Sequence, residues 1–274
     1  MNSLRALKSV LILCALLLGN PANAEESYTF AVVPQYEQRK LFTIWQPLID
    51  ELSRRTGYKL KLVATLTVPE FENELAKGRF DFAYINPYLV VKKDQRQGYI
   101  PLVRDQQALR GILVVRKDSP IKIPAELDGA KLAVPSLDAL GACLLLRAEL
   151  DQTFKARLTP VDVKSHSSVY LQVATGQIPA GGGVEKTFQT QDKSVQEALR
   201  VLYTTRDMPS HPVVAHPQLP AKVRQKLQQT LLELAATEEG RKLLQSTPIP
   251  EPVATSMQDY MPLKKLGLEA YLPD

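Results

Sequence analysis

The sequence predicts an α/β protein with mainly parallel sheets flanked by helices, folded as two lobes with a ligand cleft between them. Two observations carry this. Strand-like and helix-like segments alternate along most of the chain, the pattern of repeated βα units. The alternation falls into two sets that separate near residues 104–110, and helical segments return after residue 206. In open α/β sheets ligands sit beyond the carboxyl ends of the strands, and a cleft between lobes adds a natural site.

Taken in order, Tyr28–Val33 reads as a buried strand. From Gln38 to Arg55, the apolar residues Leu41, Ile44, Trp45, Leu48, Ile49 and Leu52 recur at helical spacing, and Gly57 stops that helix. Lys59–Val63 alternates as a second strand. Thr67-Val-Pro-Glu70 has capping-box spacing and opens a helix through Ala76. Phe80–Ile85 is a third strand, and Asn86-Pro87 supplies an N-cap followed by a first-turn proline. In the second set, Gly111–Val115, Lys131–Val134 and Leu158–Val163 read as strands, with a helix over Asp138–Leu150. Ser165 opens a further helix through Ala174, and Ala180–Val184 and Leu199–Tyr203 are two more strand candidates. After His211-Pro212 the chain turns helical over Pro220–Ala236, Glu238–Gln245 and a tail near Leu263–Tyr271. Lobe one is therefore expected at residues 25–108 and 206–274, and lobe two at residues 109–205.

The first 24 residues stand apart. Arg5 and Lys8 give a basic start, Ser9–Gly19 is a short apolar run, and Ala22-Asn23-Ala24 is an A-x-A cleavage site. This predicts a cleaved secretory signal peptide, too short for a membrane span. Removing it leaves about 250 residues. Net charge then falls from +5 to +3, because the leader carries two basic and no acidic residues. No Lys/Arg run is interleaved with aromatics, so no nucleic-acid partner is expected. No later stretch approaches a membrane span, so the mature chain is expected not to insert in a membrane. Cys14 leaves with the leader and lacks the small preceding residue that lipid attachment needs, so Cys143 is alone and forms no intrachain disulfide. Export without a lipid anchor points to the periplasm.

Enzyme signatures are mostly missing: there is no G-x-S-x-G elbow and no H-E-x-x-H. Gly176–Gly181 has P-loop glycine spacing, but Gly182 and Gly183 occupy the Lys and Ser/Thr positions. His211 and His216 each precede proline and do not share a helix face, so no metal pair is expected there. No cofactor is expected either. The informative feature is where polar residues fall, just past each strand at the start of the next helix. These are Gln35 and Tyr36; Thr65 and Thr67; Tyr84, Asn86 and Tyr88; Ser136 and Asp138; and Ser165, His166, Ser167 and Ser168. Ordinary capping explains any single one of them. Five converging helix starts, with free amides and partial positive charge, make an anion site. Cys143 reads as small core packing, with a thiol for a soft oxyanion as the alternative. Trp45 reads as core, Arg104 and Arg110 as solvated residues beside the interlobe crossing, and Tyr170 as either cleft or core.

Several stretches together carry a family resemblance: VVPQ (Val32–Gln35), WQPLIDELSRRTGYKLKLV (Trp45–Val63), GRFDFAYINPY (Gly78–Tyr88) and VVRKDSPIKIPAELDGAKLAVPS (Val114–Ser136). SHSSVYLQVATGQIPAG (Ser165–Gly181) and DYMPLKKLGLEAY (Asp259–Tyr271) continue it. Over essentially the whole mature chain, the sequence resembles the PhnD-like substrate-binding proteins of phosphate, phosphite and phosphonate ABC transporters. The resemblance implies the type 2 periplasmic binding protein fold and implies that Tyr84, Asn86 and Tyr88 line the cleft. His166 matches the family's anion-contacting histidine. Relatives usually carry a Ser-Thr-Ser-like cluster where this chain has Ser136-Leu137-Asp138-Ala139, so only Ser136 persists. Asp138 brings an acceptor-only carboxylate there, which repels a fully ionised anion or accepts a hydrogen bond from a protonated one. The family's D-A-G acidic position is also lost at Ile178-Pro179-Ala180-Gly181.

The sequence thus predicts a non-enzymatic, monomeric periplasmic solute-binding protein. It captures a small oxyanion by interlobe closure and delivers it to an ABC permease. The expected ligand residues are Gln35, Tyr36, Thr67, Tyr84, Asn86, Tyr88, Ser136, Asp138, Ser165, His166 and Ser167. The alternative is a sensory protein presenting its closed form to a histidine kinase or chemoreceptor.

Overall fold

The computed structural model describes residues 26–92 and 97–272; the predicted leader at residues 1–24 lies outside the described residues. The chain first builds three parallel strands, β1 (Ser27–Val32), β2 (Lys59–Ala64) and β3 (Phe82–Tyr84), with β1 in the middle. Helices α1 (Gln38–Thr56) and α2 (Val68–Ala76) join them. The buried stripe of α1 is Leu41, Trp45, Leu48, Ile49 and Leu52, as the periodicity predicts, while Ile44 stays half-buried. Gly57 ends the helix at φ 77°, its N–H donating to Ser53 O. Such a left-handed residue costs glycine nothing, and it satisfies an orphan carbonyl.

Strand β4 (Ile100–Asp105) then carries the chain out to a second sheet of β5 (Gly111–Arg116), β6 (Lys131–Val134), β7 (Thr159–Asp162), β8 (Ala180–Val184) and β9 (Leu199–Thr204). Their order is β7-β6-β8-β5-β9. Helices α3 (Leu145–Phe154) and α4 (His166–Ala174) cover opposite faces of it, followed by the short α5 (Glu185–Gln189) and α6 (Lys193–Ala198). The chain returns as β10 (Pro212–Ala215), which slots between β3 and β4, and β11 (Pro252–Ala254) takes the far edge. Helices α7 (Ala221–Leu234), α8 (Glu238–Gln245) and α9 (Met257–Tyr260) complete the fold. Among the described residues no helix is long and apolar enough to cross a membrane.

The α/β, two-lobed class is as the sequence predicts, but the sheets are mixed rather than mainly parallel. β10 runs against both β3 and β4, β11 against β4, and β5 against both β8 and β9. A parallel neighbour needs a crossover connection on the same sheet. Strands entering after a passage between sheets have none, and they pair antiparallel. Strands β4, β10 and β11 escape the sequence pattern because each contains proline. Pro212 and Pro252 stand first in their strands, where a missing N–H is tolerated, and Pro101 sits opposite a register shift between Val213 and Val214. The helix expected from Asp138 begins later, as a π-helical turn over Leu140–Leu144 leading into α3. The expected tail helix is two 3₁₀ turns, Met261–Lys265 and Leu268–Tyr271, split by Gly267 at φ 63°.

Strand β8 reads Ala-Gly-Gly-Gly-Val, and the glycines are a packing requirement. A Cβ on Gly182 would lie 1.9 Å from Ala142 O, and one on Gly183 would lie 2.2 Å from Tyr170 Oη. A Cβ on Gly111 of β5 would lie 2.1 Å from Gly141 O. The π turn therefore rests backbone-to-backbone on the sheet, and Tyr170 of α4 lies flat over Gly183. Gly182→Ala is expected to lower stability by about 1–3 kcal/mol through overpacking, read as a drop in Tm. Leu171→Ala on the exposed side of α4 should stay within about 0.5 kcal/mol. An unchanged Tm for Gly182→Ala would contradict this packing.

Candidate functional site

The second sheet supplies half of the site through two segments. After β6 the chain runs Pro135-Ser136-Leu137-Asp138-Ala139 into the π turn, whose first amides have no acceptor within their own helix. Next to it, α4 starts at His166, with Ser165 as N-cap accepting from Ser168 N. Tyr170, one turn along α4, is anchored by donating to Val184 O at 3.0 Å and lying 2.8 Å from Thr187 Oγ1. That anchor fixes the rotation of α4 and holds His166 at the end of the sheet.

The first sheet supplies the other half. Gln35 follows β1, Asn86 follows β3 and His211 precedes β10, at the same sheet end because β1, β3 and β10 are neighbours. Asn86 Oδ1 accepts from Tyr88 N, capping the 3₁₀ turn Pro87–Val90. His211 stacks on Tyr84 with ring centroids 5.4 Å apart, and Tyr84 in turn lies 4.8 Å from Trp45. Gln35 Nε2 is 3.3 Å from His211 Nε2.

Between the halves lies a cavity of about 40 Å³ whose polar lining is Gln35, Asn86, Ser136, His166 and His211, with backbone from Ala139 to Ala142. A water needs roughly 10–15 Å³ on this measure, so the space suits about three waters or one small oxyanion. Among the described residues no Lys, Arg, Asp or Glu lines it. His166 is only 5% exposed, and among the described residues neither of its ring nitrogens has a hydrogen-bond partner. Burial holds its pKa at about 3, and burial with the nearby His166 and Lys186 lowers that of half-buried His211. Both rings are neutral at pH 7, so each offers one N–H donor.

The lobes touch on both sides of the cavity. Asn86 Nδ2 donates to Asp138 O at 2.9 Å, and the buried Glu72 of α2 lies beside the Asp138 side chain. Opposite, Lys186 of α5 pairs with Asp105, which is fully buried at the end of β4 and also accepts from Glu251 N. Tyr36 Oη lies 3.4 Å from Thr190 Oγ1, and Lys40 donates to the Thr190 carbonyl. The tail reaches across as well, Arg147 of α3 donating to Tyr271 O at 2.8 Å. A wider groove of about 660 Å³ adjoins the cavity, sharing Gln35, Val184 and His211 and carrying Tyr36, Arg110, Lys186 and Thr190.

Of the residues expected from the sequence, Gln35, Asn86, Ser136 and His166 line the cavity. Tyr36 and Tyr84 face the groove instead. Asp138 stands behind Ser136, which donates to its Oδ1, and it does not cap the following helix. Thr67 caps α2 by accepting from Glu70 N, beside cavity-lining Val68. The hydroxyl of Ser165 is taken up by Ser168, and Ser167 does not line the cavity. Tyr88 is buried in the first-sheet core. Cys143 is fully buried, its thiol pushed up to about 12 by burial, and it points into the second-sheet core. Arg110 pairs with Asp207 and Glu185 at the groove, and Arg104 donates to Asp105 O. His211 is the residue that the sequence pattern passes over. Its signal is a His-Pro step opening a strand, legible only once β10 is recognised. His216 lies elsewhere, edge-on to Tyr99.

Comparison with known proteins identifies the family and the fold. The family model of the periplasmic substrate-binding protein of phosphonate ABC transporters matches residues 30–260. No curated protein sequence matches the chain. Among solved structures, a binding protein component of a phosphonate ABC transporter from Pseudomonas aeruginosa is similar at 18% identity and TM-score 0.76, over 88% of this chain and 85% of that one. PhnD1 from Prochlorococcus marinus, in complex with methylphosphonate, is similar at 12% identity and TM-score 0.79, over 90% and 98%. A Xanthomonas citri protein bound to ATP is similar at 16% identity and TM-score 0.69, over 90% and 98%. At these identities the structures establish the shared fold.

The neutral, buried state of His166 makes a prediction about pH. Its folded pKa of about 3 lies below the ordinary 6.5, so the unfolded chain binds more protons between those values. Stability therefore falls as pH drops through that window. His166→Gln should remove on the order of 2 kcal/mol of the loss between about pH 6.5 and 4.5, measured by urea unfolding at both pH values. Equal slopes in the two proteins would show that His166 is not buried neutral.

Proposed function

Because the chain belongs to the family of periplasmic substrate-binding proteins of phosphonate ABC transporters, we propose that it captures a small phosphate-, phosphite- or phosphonate-like oxyanion in the cavity between its lobes. The observation that carries this is His166: a buried imidazole with no partner, facing a cavity of oxyanion size lined only by neutral groups. An unpaired buried polar group costs about 1–3 kcal/mol, and a bound oxyanion accepting its N–H relieves that cost. The π-turn amides and the start of α4 add partial positive charge without a counterion to remove. The adjoining groove has room for an organic substituent passing Gln35 and His211.

Closure couples to binding because both lobes contribute donors, so a ligand held by Asn86 and His166 together stabilises the arrangement in which the lobes touch. The lobes are taken as residues 25–108 with 206–274, and 109–205. The division is supported by the two sheets and by the two passages between them, β4 to β5 and β9 to β10. The closed protein delivers its ligand to an ABC permease, acting as a monomer, since one chain supplies both halves of the cavity. Residence in the periplasm is supported by the family and by the leader pattern of residues 1–24.

The test is thermal unfolding of the protein against phosphate, phosphite, methylphosphonate, aminoethylphosphonate, sulfate and arsenite. A ligand at a hundredfold excess over its Kd adds about 2.7 kcal/mol to stability. At least one phosphorus oxyanion should raise Tm, and His166→Ala should abolish that shift. The single tryptophan, Trp45, lies two rings from the cavity through Tyr84 and His211, so its fluorescence should change with the same ligand. A Tm shift that survives His166→Ala would place the ligand elsewhere.

A further inference from the structure

Ser136 lines the cavity at 6% exposure, and its hydroxyl donates to Asp138 Oδ1. A hydroxyl has one proton. With that proton committed to the carboxylate, what Ser136 shows the cavity is lone pairs. Asp138 is held in place from the other lobe by Asn86, which donates to its carbonyl, and Glu72 lies beside its side chain. Burial first, then the neighbouring Asp138, raises the Glu72 pKa to about 9. The other titratable groups near this cluster are Lys92 beyond Glu72, Cys143 on the π turn, and His166 and His211 on the cavity wall.

The cavity therefore sets several donors beside an acceptor whose own proton is already committed. His166, Asn86 and the π-turn amides can each donate, and Ser136 can only accept. A fully ionised oxyanion would set an oxygen lone pair against the lone pairs of Ser136, whose proton is turned away to Asp138. A singly protonated oxyanion would place its hydroxyl there instead. We infer that Ser136, oriented by Asp138, makes the site selective for the protonated monoanion of a tetrahedral phosphorus oxyacid over a fully ionised anion such as sulfate. This deepens the oxyanion reading of the cavity and rests on it.

Binding of methylphosphonate and of sulfate is to be measured by calorimetry from pH 5.5 to 8.5, on the unsubstituted protein, Asp138→Asn, Ser136→Ala and His166→Ala. Sulfate keeps its charge throughout, so its profile reads the protein's own titration, and the difference between the two profiles reads the ligand's proton. Methylphosphonate affinity should fall about tenfold per pH unit once its second proton is lost. Sulfate should bind about a hundredfold more weakly or not at all, because a buried acceptor left facing an anion has no partner. Asp138→Asn supplies an amide N–H that can donate to Ser136 Oγ, which lets the Ser136 proton turn to the cavity, and should flatten the methylphosphonate profile while admitting sulfate. Ser136→Ala removes the acceptor and should narrow the gap between the two ligands, which keeps the test open if Asp138→Asn does not fold. Equal affinity for sulfate, or a methylphosphonate profile identical to that of sulfate, overturns the inference. If His166→Ala abolishes binding while the profiles coincide, the cavity is the site and only the selection by protonation state fails. If methylphosphonate binding is absent, or survives His166→Ala, the oxyanion reading itself fails and this inference with it.

Discussion

The site depends on a strand whose three central residues carry no side chains. Gly182 and Gly183 of β8, with Gly111 of β5, let the π turn and α4 settle directly on the second sheet, and any Cβ there would overlap backbone or the Tyr170 ring. Because the π turn rests with its Gly141 and Ala142 carbonyls against the sheet, its first residues face the cavity beside Ser136. Because Tyr170 lies over Gly183, α4 is turned so that His166 faces the same space. The glycine-rich stretch, whose first part has the glycine spacing of a phosphate loop, thus lets two helix starts converge on the cavity.

The second organising feature is where the lobes are tied. Asp105 ends β4 just where the chain leaves the first sheet, and it is completely buried, paired with Lys186 from the far lobe. A buried carboxylate without its partner is costly, so this pair favours the arrangement in which the lobes meet. On the other side of the cavity, Asp138 gathers Ser136, Asn86 and Glu72. The cavity lies between these two acidic junctions, and neither Asp105 nor Asp138 is among its lining residues.

The cavity's electrostatics follow from that separation. All its lining groups are uncharged, and burial keeps the histidines neutral. An anion entering it is stabilised by oriented dipoles and hydrogen bonds, which lose little on binding because they are already in place. Such a site discriminates through which positions donate and which accept, and less through total charge.

The sequence by itself determined most of what rests on neighbours within a turn. The apolar stripe of α1, the Gly57 stop, the Thr67, Asn86 and Ser165 caps and most of the strands are written in spacings of two to four residues, and the structure bears them out. Proline hid β4, β10 and β11, since their tolerance of it depends on a bulge and on strand starts that only the assembled sheet defines. Tertiary structure alone decided which caps face a common space. Ser165 and Ser136 look alike as polar residues beside a helix start, yet one spends its oxygen on its own helix and the other opens onto the cavity. His211 joins His166 there only because β10 returns beside β3. Asn86 meets Asp138 across 52 residues of chain, a contact set by how two lobes pack. Local hydrogen bonding is encoded in short spacings, whereas convergence is a property of packed surfaces that no short spacing records.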